Sequence, residues 1–220
     1  MKIADGQSIL FTGDSITDCG RGYPVGEKGC LGNGYVSFVD GLLGASDPQT
    51  QITILNTGIG GNRVIDLEKR WQKDIRRLKP DWLSVMIGIN DVWRQFDSPH
   101  EPEQVYIARF EDVYRKLLVQ TRPELEGLIL ITPYFIETKL DDPMRVQMDA
   151  YGKVVRQLAT EFDAIFVDVQ AAFDAYLLHR TSQSLCDDRV HPNATGHMII
   201  AKAFLTAIEF DWASQKIGAI

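Results

Sequence analysis

Residues 9–17 read ILFTGDSIT, a short apolar run that stops abruptly at a glycine, an aspartate and a serine. An apolar run of this length, bounded by turn residues, predicts a buried strand over residues 8–12. Open α/β folds bind their ligands at the carboxyl ends of the parallel strands. Ser15 is therefore expected where a nucleophile belongs, although a Gly-Asp-Ser turn after a strand also occurs for purely conformational reasons.

Further apolar segments follow at intervals, with helical patterns between them. They are residues 52–56, 81–87, 128–132 and 164–167. Five strands that alternate with helices predict a mainly parallel sheet with helices on both faces. We therefore expect an α/β fold, a flavodoxin-like three-layer α/β/α sandwich with a five-stranded sheet. No repeat or linker divides the chain, so residues 1–220 are expected to form a single domain.

Bulk composition narrows the classes of partner. The chain of 220 residues has a formal net charge of −7, which disfavours nucleic acid and anionic membranes as partners. We find neither a signal-peptide pattern nor an apolar stretch near the ~18 residues of a membrane span. The three cysteines lack the spacing of a metal site. We expect a cytoplasmic protein with reduced thiols and a neutral or cationic substrate, and the sequence leaves a homo-oligomer open.

Polar motifs recur at the predicted strand ends. Gly60-Gly61-Asn62 follows the second strand, Gly88-Ile89-Asn90-Asp91 follows the third, and Asp188-Arg189-Val190-His191 precedes the last helix. Acyl transfer by a serine needs a base, an acid to orient that base, and donors for the oxyanion. Taken alone, Asn90-Asp91 is typical of a turn or helix cap. The convergence of all the motifs at one edge of the sheet predicts a catalytic site.

Two adjacent acids, Asp187 and Asp188, could pair with His191. Because His191 precedes Pro192, its backbone is biased away from the helical region, which favours a turn. The first and fourth residues of such a turn come within ~7 Å of each other. This brings Asp188, rather than Asp187, to His191.

Together with Gly13-Asp14-Ser15, these motifs resemble the four blocks of the SGNH, or GDSL-type, hydrolases over most of the chain. Segments 17–21, 92–95 and 142–145 look like those of intracellular acetylxylan esterases in that family. The resemblance implies Ser15 as nucleophile, His191 as general base and Asp188 as the acid that orients it. It also implies an oxyanion hole formed by the backbone N–H groups of Ser15 and Gly61 and the side-chain amide of Asn90, with no cofactor and no metal.

The resemblance further implies the substrate. It points to hydrolysis of acetyl esters, with an acyl-enzyme, on xylo-oligosaccharides or related sugars. Residues beside the motif loops are candidates for lining the acyl or alcohol pocket, although aromatic residues in such places more often serve packing. These candidates are Trp93, Arg94, Arg63, Tyr134 and Arg189.

Other functions fit parts of the sequence. A lysophospholipase or thioesterase stays open, because similar folds serve acetylated sugars, lysophospholipids and thioesters. A non-catalytic carbohydrate-binding domain is disfavoured, because no catalytic position of the motifs is substituted. An aspartyl-phosphate phosphotransferase would need an acid where Ile16 stands, and a dinucleotide site would need a glycine or alanine where Arg63 stands.

Overall fold

Five parallel strands form one sheet in the computed structural model, which describes residues 1–100 and 102–212. The spatial order is β2-β1-β3-β4-β5. The strands are β1 Ser8–Gly13, β2 Thr53–Asn56, β3 Trp82–Met86, β4 Gly127–Ile131 and β5 Ile165–Val167. Each neighbouring pair is parallel. All five strands lie within one or two residues of the segments predicted from apolar runs, which confirms the expected sheet.

Helices cover both faces of this sheet. Their bounds are α1 Ser15–Asp18, α2 Tyr35–Ser46, α3 Val64–Trp71, α4 Ile89–Asp97, α5 Ile107–Thr121, α6 Pro143–Glu161, α7 Val169–Leu177 and α8 Ala194–Ala207. Contacts join α2 and α7 to α8 in one group, and α3 and α6 to α5 in the other. Strands β3 and β4 are buried along their whole length, as parallel strands between two helical layers should be. The three-layer α/β/α arrangement expected from the sequence is confirmed. In the described residues, no helix has the length and apolar character needed to cross a membrane.

Strand register brings the motif-bearing loops to one edge. Gly13 at the end of β1 pairs with Met86 at the end of β3, and Phe11 pairs with Asn56 at the end of β2. Position 13 must be glycine, because a Cβ there would lie 2.2 Å from the Met86 carbonyl oxygen. The chain can therefore turn sharply into α1, and it delivers Ser15 beside the ends of two neighbouring strands.

The contact between Gly127, at the start of β4, and Trp82 of β3 allows the packing of neighbouring strands to be tested by substitution. Its strand partner is Trp82, and a Cβ at position 127 would lie 2.1 Å from a carbon of the Trp82 ring. The ring cannot move freely, because its Nε1–H donates to Gln7 at 3.0 Å.

We predict that Gly127→Ala lowers the free energy of unfolding by ~1–3 kcal/mol, because the added methyl group overpacks the Trp82 contact. Gly41→Ala is the matched control. Gly41 is exposed in α2, and a Cβ there would meet nothing within 4 Å, so this change should stabilise by ~0.5–1 kcal/mol. Urea denaturation of both variants measures the difference, and equal effects would contradict the packing described here.

Candidate active site

Ser15, His191 and Asp188 form a continuous hydrogen-bonded chain at the carboxyl edge of the sheet. Ser15 Oγ lies 2.9 Å from His191 Nε2. His191 Nδ1 lies 2.6 Å from Asp188 Oδ2. The structure thus brings together the three residues expected to act as nucleophile, base and orienting acid, and it places Asp188 at His191 across a bend in which the His191 N–H donates to the Asp188 side chain.

Backbone groups fix the Asp188 carboxylate. Its Oδ1 accepts hydrogen bonds from the backbone N–H groups of Val190, at 2.9 Å, and His191, at 2.8 Å. Partial burial alone would raise the pKa of Asp188, but the hydrogen bonds from His191 and Val190 outweigh it and hold the pKa below its ordinary value. Asp188 is therefore a fixed acceptor that orients the imidazole of His191.

The oxyanion-hole candidates lie on three separate elements. Ser15 begins α1, Gly61 lies in the β2–α3 loop, and Asn90 is in the first turn of α4. The sequence motif containing Asn90 was typical of a turn or cap, whereas the structure continues it as a helix. Gly61 has a φ of 77°, a conformation that glycine adopts without strain. Its missing Cβ leaves the backbone open to a bound group.

The orientation of the Asn90 amide is fixed by its neighbours. Its Nδ2 donates to the Asn62 carbonyl oxygen at 3.1 Å, and its Oδ1 lies 3.5 Å from Arg94 Nη2. An amide nitrogen carries two hydrogens, so one remains to donate to a substrate oxygen. Arg94 therefore acts on the site through Asn90.

Arg70 binds the loops of the site together, and sequence analysis did not identify it. Its Nη2 donates to the Gly13 carbonyl at 3.0 Å, and its Nη1 to the Thr57 carbonyl at 2.7 Å. Its Nε donates to the Asn62 side chain at 2.7 Å. The Asp74 carboxylate compensates the charge of the guanidinium, with its Oδ2 3.0 Å from Arg70 Nη1. One guanidinium thus connects the ends of β1 and β2 with the loop that carries Gly61.

The remaining candidates for lining the substrate pocket lie in different environments. Trp93 lies beside the catalytic candidates, with its ring centroid 5.8 Å from that of His191. Arg63 donates to the Glu103 carbonyl at 2.7 Å, and Arg189 forms an ion pair with Glu137 at 2.6 Å.

Tyr134 is only 1% exposed. Its hydroxyl donates to the Val190 carbonyl at 3.0 Å. Contrary to the expectation that it lines a pocket, Tyr134 supports the His191 loop from the core.

No metal centre is apparent in residues 1–100 and 102–212, since no three His, Cys, Asp or Glu side chains there are grouped to hold an ion. Two acidic residues beneath the site, Asp14 and Asp91, are buried in the core. Burial raises the pKa of Asp14 to about 7 and that of Asp91 to about 8. The negative charge of Asp14 contributes to the shift at Asp91, while the Val64 N–H opposes it.

Asp91 gives the unfolding free energy a predictable pH dependence. Asp ionises near pH ~3.9 in an unfolded chain, so between that pH and about 8 the folded protein holds the extra proton. Stability must then fall as pH rises through this window. We predict that Asp91→Asn, which keeps an oxygen acceptor for Val64, flattens the pH profile by up to ~1.4 kcal/mol per unit. Urea unfolding from pH 4.5 to 8 measures the slopes, and parallel profiles would contradict the assignment.

Nearly the whole chain is similar to proteins of one family. The model of the GDSL-like lipase/acylhydrolase family matches residues 11–199. An acetylxylan esterase from Geobacillus stearothermophilus is 51% identical over 219 residues, covering 98% of this chain and 100% of the relative.

Solved structures agree with this placement. The crystal structure of Axe2, an acetylxylan esterase from Geobacillus stearothermophilus, superposes with a TM-score of 0.95 at 52% identity, covering 96% of this chain and 98% of that one. Structures of that enzyme include catalytic mutants in which a serine, an aspartate or a histidine is replaced by alanine. LAE5, an α/β hydrolase from the metagenome of Lake Arreo in Spain, has a TM-score of 0.93 at 44% identity with the same coverage. The resemblance stated from the four motifs is confirmed, and the chain belongs to the GDSL-like lipase/acylhydrolase family.

Proposed function

We propose that this protein is a serine esterase that removes acetyl groups from xylo-oligosaccharides or related sugars. The observation that carries the proposal is the hydrogen-bonded chain from Ser15 through His191 to Asp188. The identity to an acetylxylan esterase over nearly the whole chain supports the choice of acyl group and alcohol.

In the acylation half of the reaction, Ser15 Oγ attacks the carbonyl carbon of the acetyl ester while its proton passes to His191 Nε2. The resulting imidazolium keeps its Nδ1–H on Asp188, whose negative charge stabilises it. The tetrahedral intermediate then expels the sugar oxygen, which takes the proton from His191 Nε2. The sugar leaves with a free hydroxyl group, and the acetyl group stays on Ser15.

Deacylation repeats the same proton transfers with water as nucleophile. His191 accepts a proton from water as the water oxygen attacks the acetyl-serine carbonyl. The second intermediate expels Ser15 Oγ, which recovers its proton from His191, and acetic acid is released. One ester and one water thus give one alcohol and one acid, and the enzyme returns to its starting state.

In both acylation and deacylation, negative charge develops on the carbonyl oxygen of the acetyl group and has to be stabilised. The backbone N–H groups of Ser15 and Gly61 and the Asn90 amide are the donors we assign to it. A donor of this kind contributes ~3 kcal/mol to transition-state stabilisation in acyl transfer. Because Arg70 holds the end of β1 and the Gly61 loop in place, and Asn62 and Arg94 orient the Asn90 amide, little reorganisation is needed when the charge forms.

The setting of the enzyme belongs to the same proposal. We assign it to the cytoplasm as a single-domain protein that acts on small, uncharged acetylated carbohydrates rather than on nucleic acid or membranes. The three cysteines, Cys19, Cys30 and Cys186, are free thiols, which suits a reducing compartment. The net charge of −7 supports a neutral substrate.

An acyl-length series tests the function. We predict that kcat/KM for acetyl esters exceeds that for octanoyl esters by ~10-fold or more, and that acetylated xylo-oligosaccharides are hydrolysed. Ser15→Ala serves as the inactive control and should lose activity by ~10⁴-fold or more while keeping the wild-type circular dichroism spectrum. A maximum at long acyl chains would favour a lysophospholipase, and unchanged turnover in Ser15→Ala would end the serine-esterase proposal.

The two adjacent acids provide a matched pair of variants. We predict that Asp188→Asn lowers kcat by up to ~10⁴-fold, the loss known from the Ser-His-Asp proteases, because Asn can hold the imidazole in the wrong tautomer. Asp187→Asn should stay within a few-fold of wild type. Both variants are measured on one acetyl ester. A larger loss at Asp187, or equal activities, would show that the wrong acid is assigned.

A further inference from the structure

Tyr23 is an exposed aromatic residue in the long loop between α1 and α2. Its exposed fraction is 63%, among the highest of the large hydrophobic residues in the described part of the chain. Single exposed aromatic residues are common and need no function. Tyr23 differs from such residues because its ring is fixed from two sides by neighbours that are themselves anchored.

The first fixed point lies under the ring. The Arg21 guanidinium carbon is 4.0 Å from the Tyr23 ring centroid. Arg21 is only 4% exposed. It donates to the carbonyl oxygens of Gly58, at 2.7 Å, Gly22, at 2.9 Å, and Pro24, at 2.8 Å. One face of the ring thus rests on a buried cation, and the exposed area belongs to the other side of the ring.

The second fixed point connects the ring to the reaction centre. Tyr23 Oη donates to Asp18 Oδ2 at 2.6 Å, and the same oxygen accepts the Gly60 N–H at 3.1 Å. Gly60 precedes the oxyanion-hole candidate Gly61, and a side-chain carbon at position 60 would lie 3.8 Å from Ser15 Cβ. A single carboxylate therefore bridges the Tyr23 ring and the loop that faces Ser15.

Backbone contacts hold the whole loop against the fold. Gly22 N–H donates to the Cys30 carbonyl at 2.7 Å, Gly26 N–H to the Asn56 carbonyl at 2.8 Å, and Asn33 N–H to the Cys19 carbonyl at 2.8 Å. The loop crosses the end of β2 in a fixed position. Tyr23 is thus presented beside the site without an ordering cost at the time of binding.

We propose that Tyr23 is a stacking platform for a sugar ring of the substrate, on the side of Ser15 where Gly60 lies. The proposal rests on the proposed function, because it needs the alcohol part of the ester to be a carbohydrate. A pyranose ring has an apolar C–H face that packs on an aromatic ring, while its hydroxyl groups stay in water. With the acetyl group at Ser15, the sugar chain extends over Gly60 towards Tyr23.

Charge at the platform selects the same class of ligand. Asp18 lies beside the ring and repels anionic groups such as the phosphate of a lysophospholipid. The cation in contact with the ring, Arg21, is buried and engaged with three carbonyl oxygens. An uncharged oligosaccharide meets neither repulsion nor an unpaired charge there.

Tyr23→Leu and Tyr23→Phe separate the ring from the hydroxyl. Both variants lose the hydrogen bond to Asp18, but only Tyr23→Phe keeps an aromatic face. For acetylated xylo-oligosaccharide we expect Tyr23→Leu to raise KM by ~10-fold with kcat within ~2-fold of wild type, whereas Tyr23→Phe, whose ring still rests on Arg21, should keep KM within ~3-fold of wild type. Ethyl acetate, which has no sugar ring, reports on the chemistry alone, so the ratio of kcat/KM between the two substrates should fall ~10-fold in Tyr23→Leu only.

A second exposed aromatic residue provides the control. Trp212 is 47% exposed and lies shortly after α8. Ile208, directly after this helix, accepts a hydrogen bond from the Lys2 N–H at 2.9 Å, and Lys2 precedes β1 at the amino ends of the strands. Trp212→Leu should leave the substrate ratio unchanged.

The outcomes distinguish the two proposals. Equal losses on both substrates in Tyr23→Leu, no change on either, or an equal rise in KM for Tyr23→Phe would overturn the platform while leaving the esterase proposal intact. Failure of the wild-type protein to hydrolyse the acetylated oligosaccharide would overturn the proposed function and the platform together.

Discussion

The parallel register of β1 with its two neighbours is the constraint on which the site depends. Gly13 lies opposite Met86, and Phe11 opposite Asn56, so three strands end at the same edge. Each then releases a loop or helix that carries one part of the proposed chemistry. A shift of one residue in any pair would move every side chain of that strand to the opposite helical layer, so packing against both layers secures the register. Arg70 completes this arrangement by hydrogen bonding across the strand ends.

Two carboxyl groups lie at the same edge of the sheet, although their burial would not be favoured by folding stability alone. Asp14 and Asp91 are buried beneath the site, and burial raises the pKa of each. Both are tied to backbone N–H groups, Asp14 to Ile16 at 3.0 Å and Asp91 to Val64 at 3.0 Å. A buried carboxyl that caps a turn costs stability when it ionises, but it fixes the backbone beside the nucleophile. We infer that these acids act by shaping the loops rather than by transferring protons to substrate.

Sequence patterns predicted the parts of this molecule that depend on local chemistry. Apolar runs located the five strands, and the turn before Pro192 placed Asp188 at His191. Contacts between distant segments left no such signal. Arg70 looks like one more charged residue of an amphipathic helix until the fold brings the Gly13 carbonyl to it. Tyr23 looks like an ordinary loop tyrosine until the fold brings Gly60 to its partner Asp18. The same limit explains why Tyr134 was expected to line the substrate pocket. No local pattern shows that its ring packs in the core, with its centroid 4.6 Å from that of Phe173.

The central claim is that Ser15 is an activated nucleophile, and covalent labelling tests it most directly. A fluorophosphonate reacts irreversibly with a serine that a neighbouring base deprotonates. Peptide mass spectrometry during the inactivation of wild-type protein would locate the label and give its stoichiometry. We predict one label per chain, on Ser15, that accumulates in step with the loss of esterase activity. Complete inactivation with the label on another residue, or full activity after Ser15 is labelled, would contradict the account.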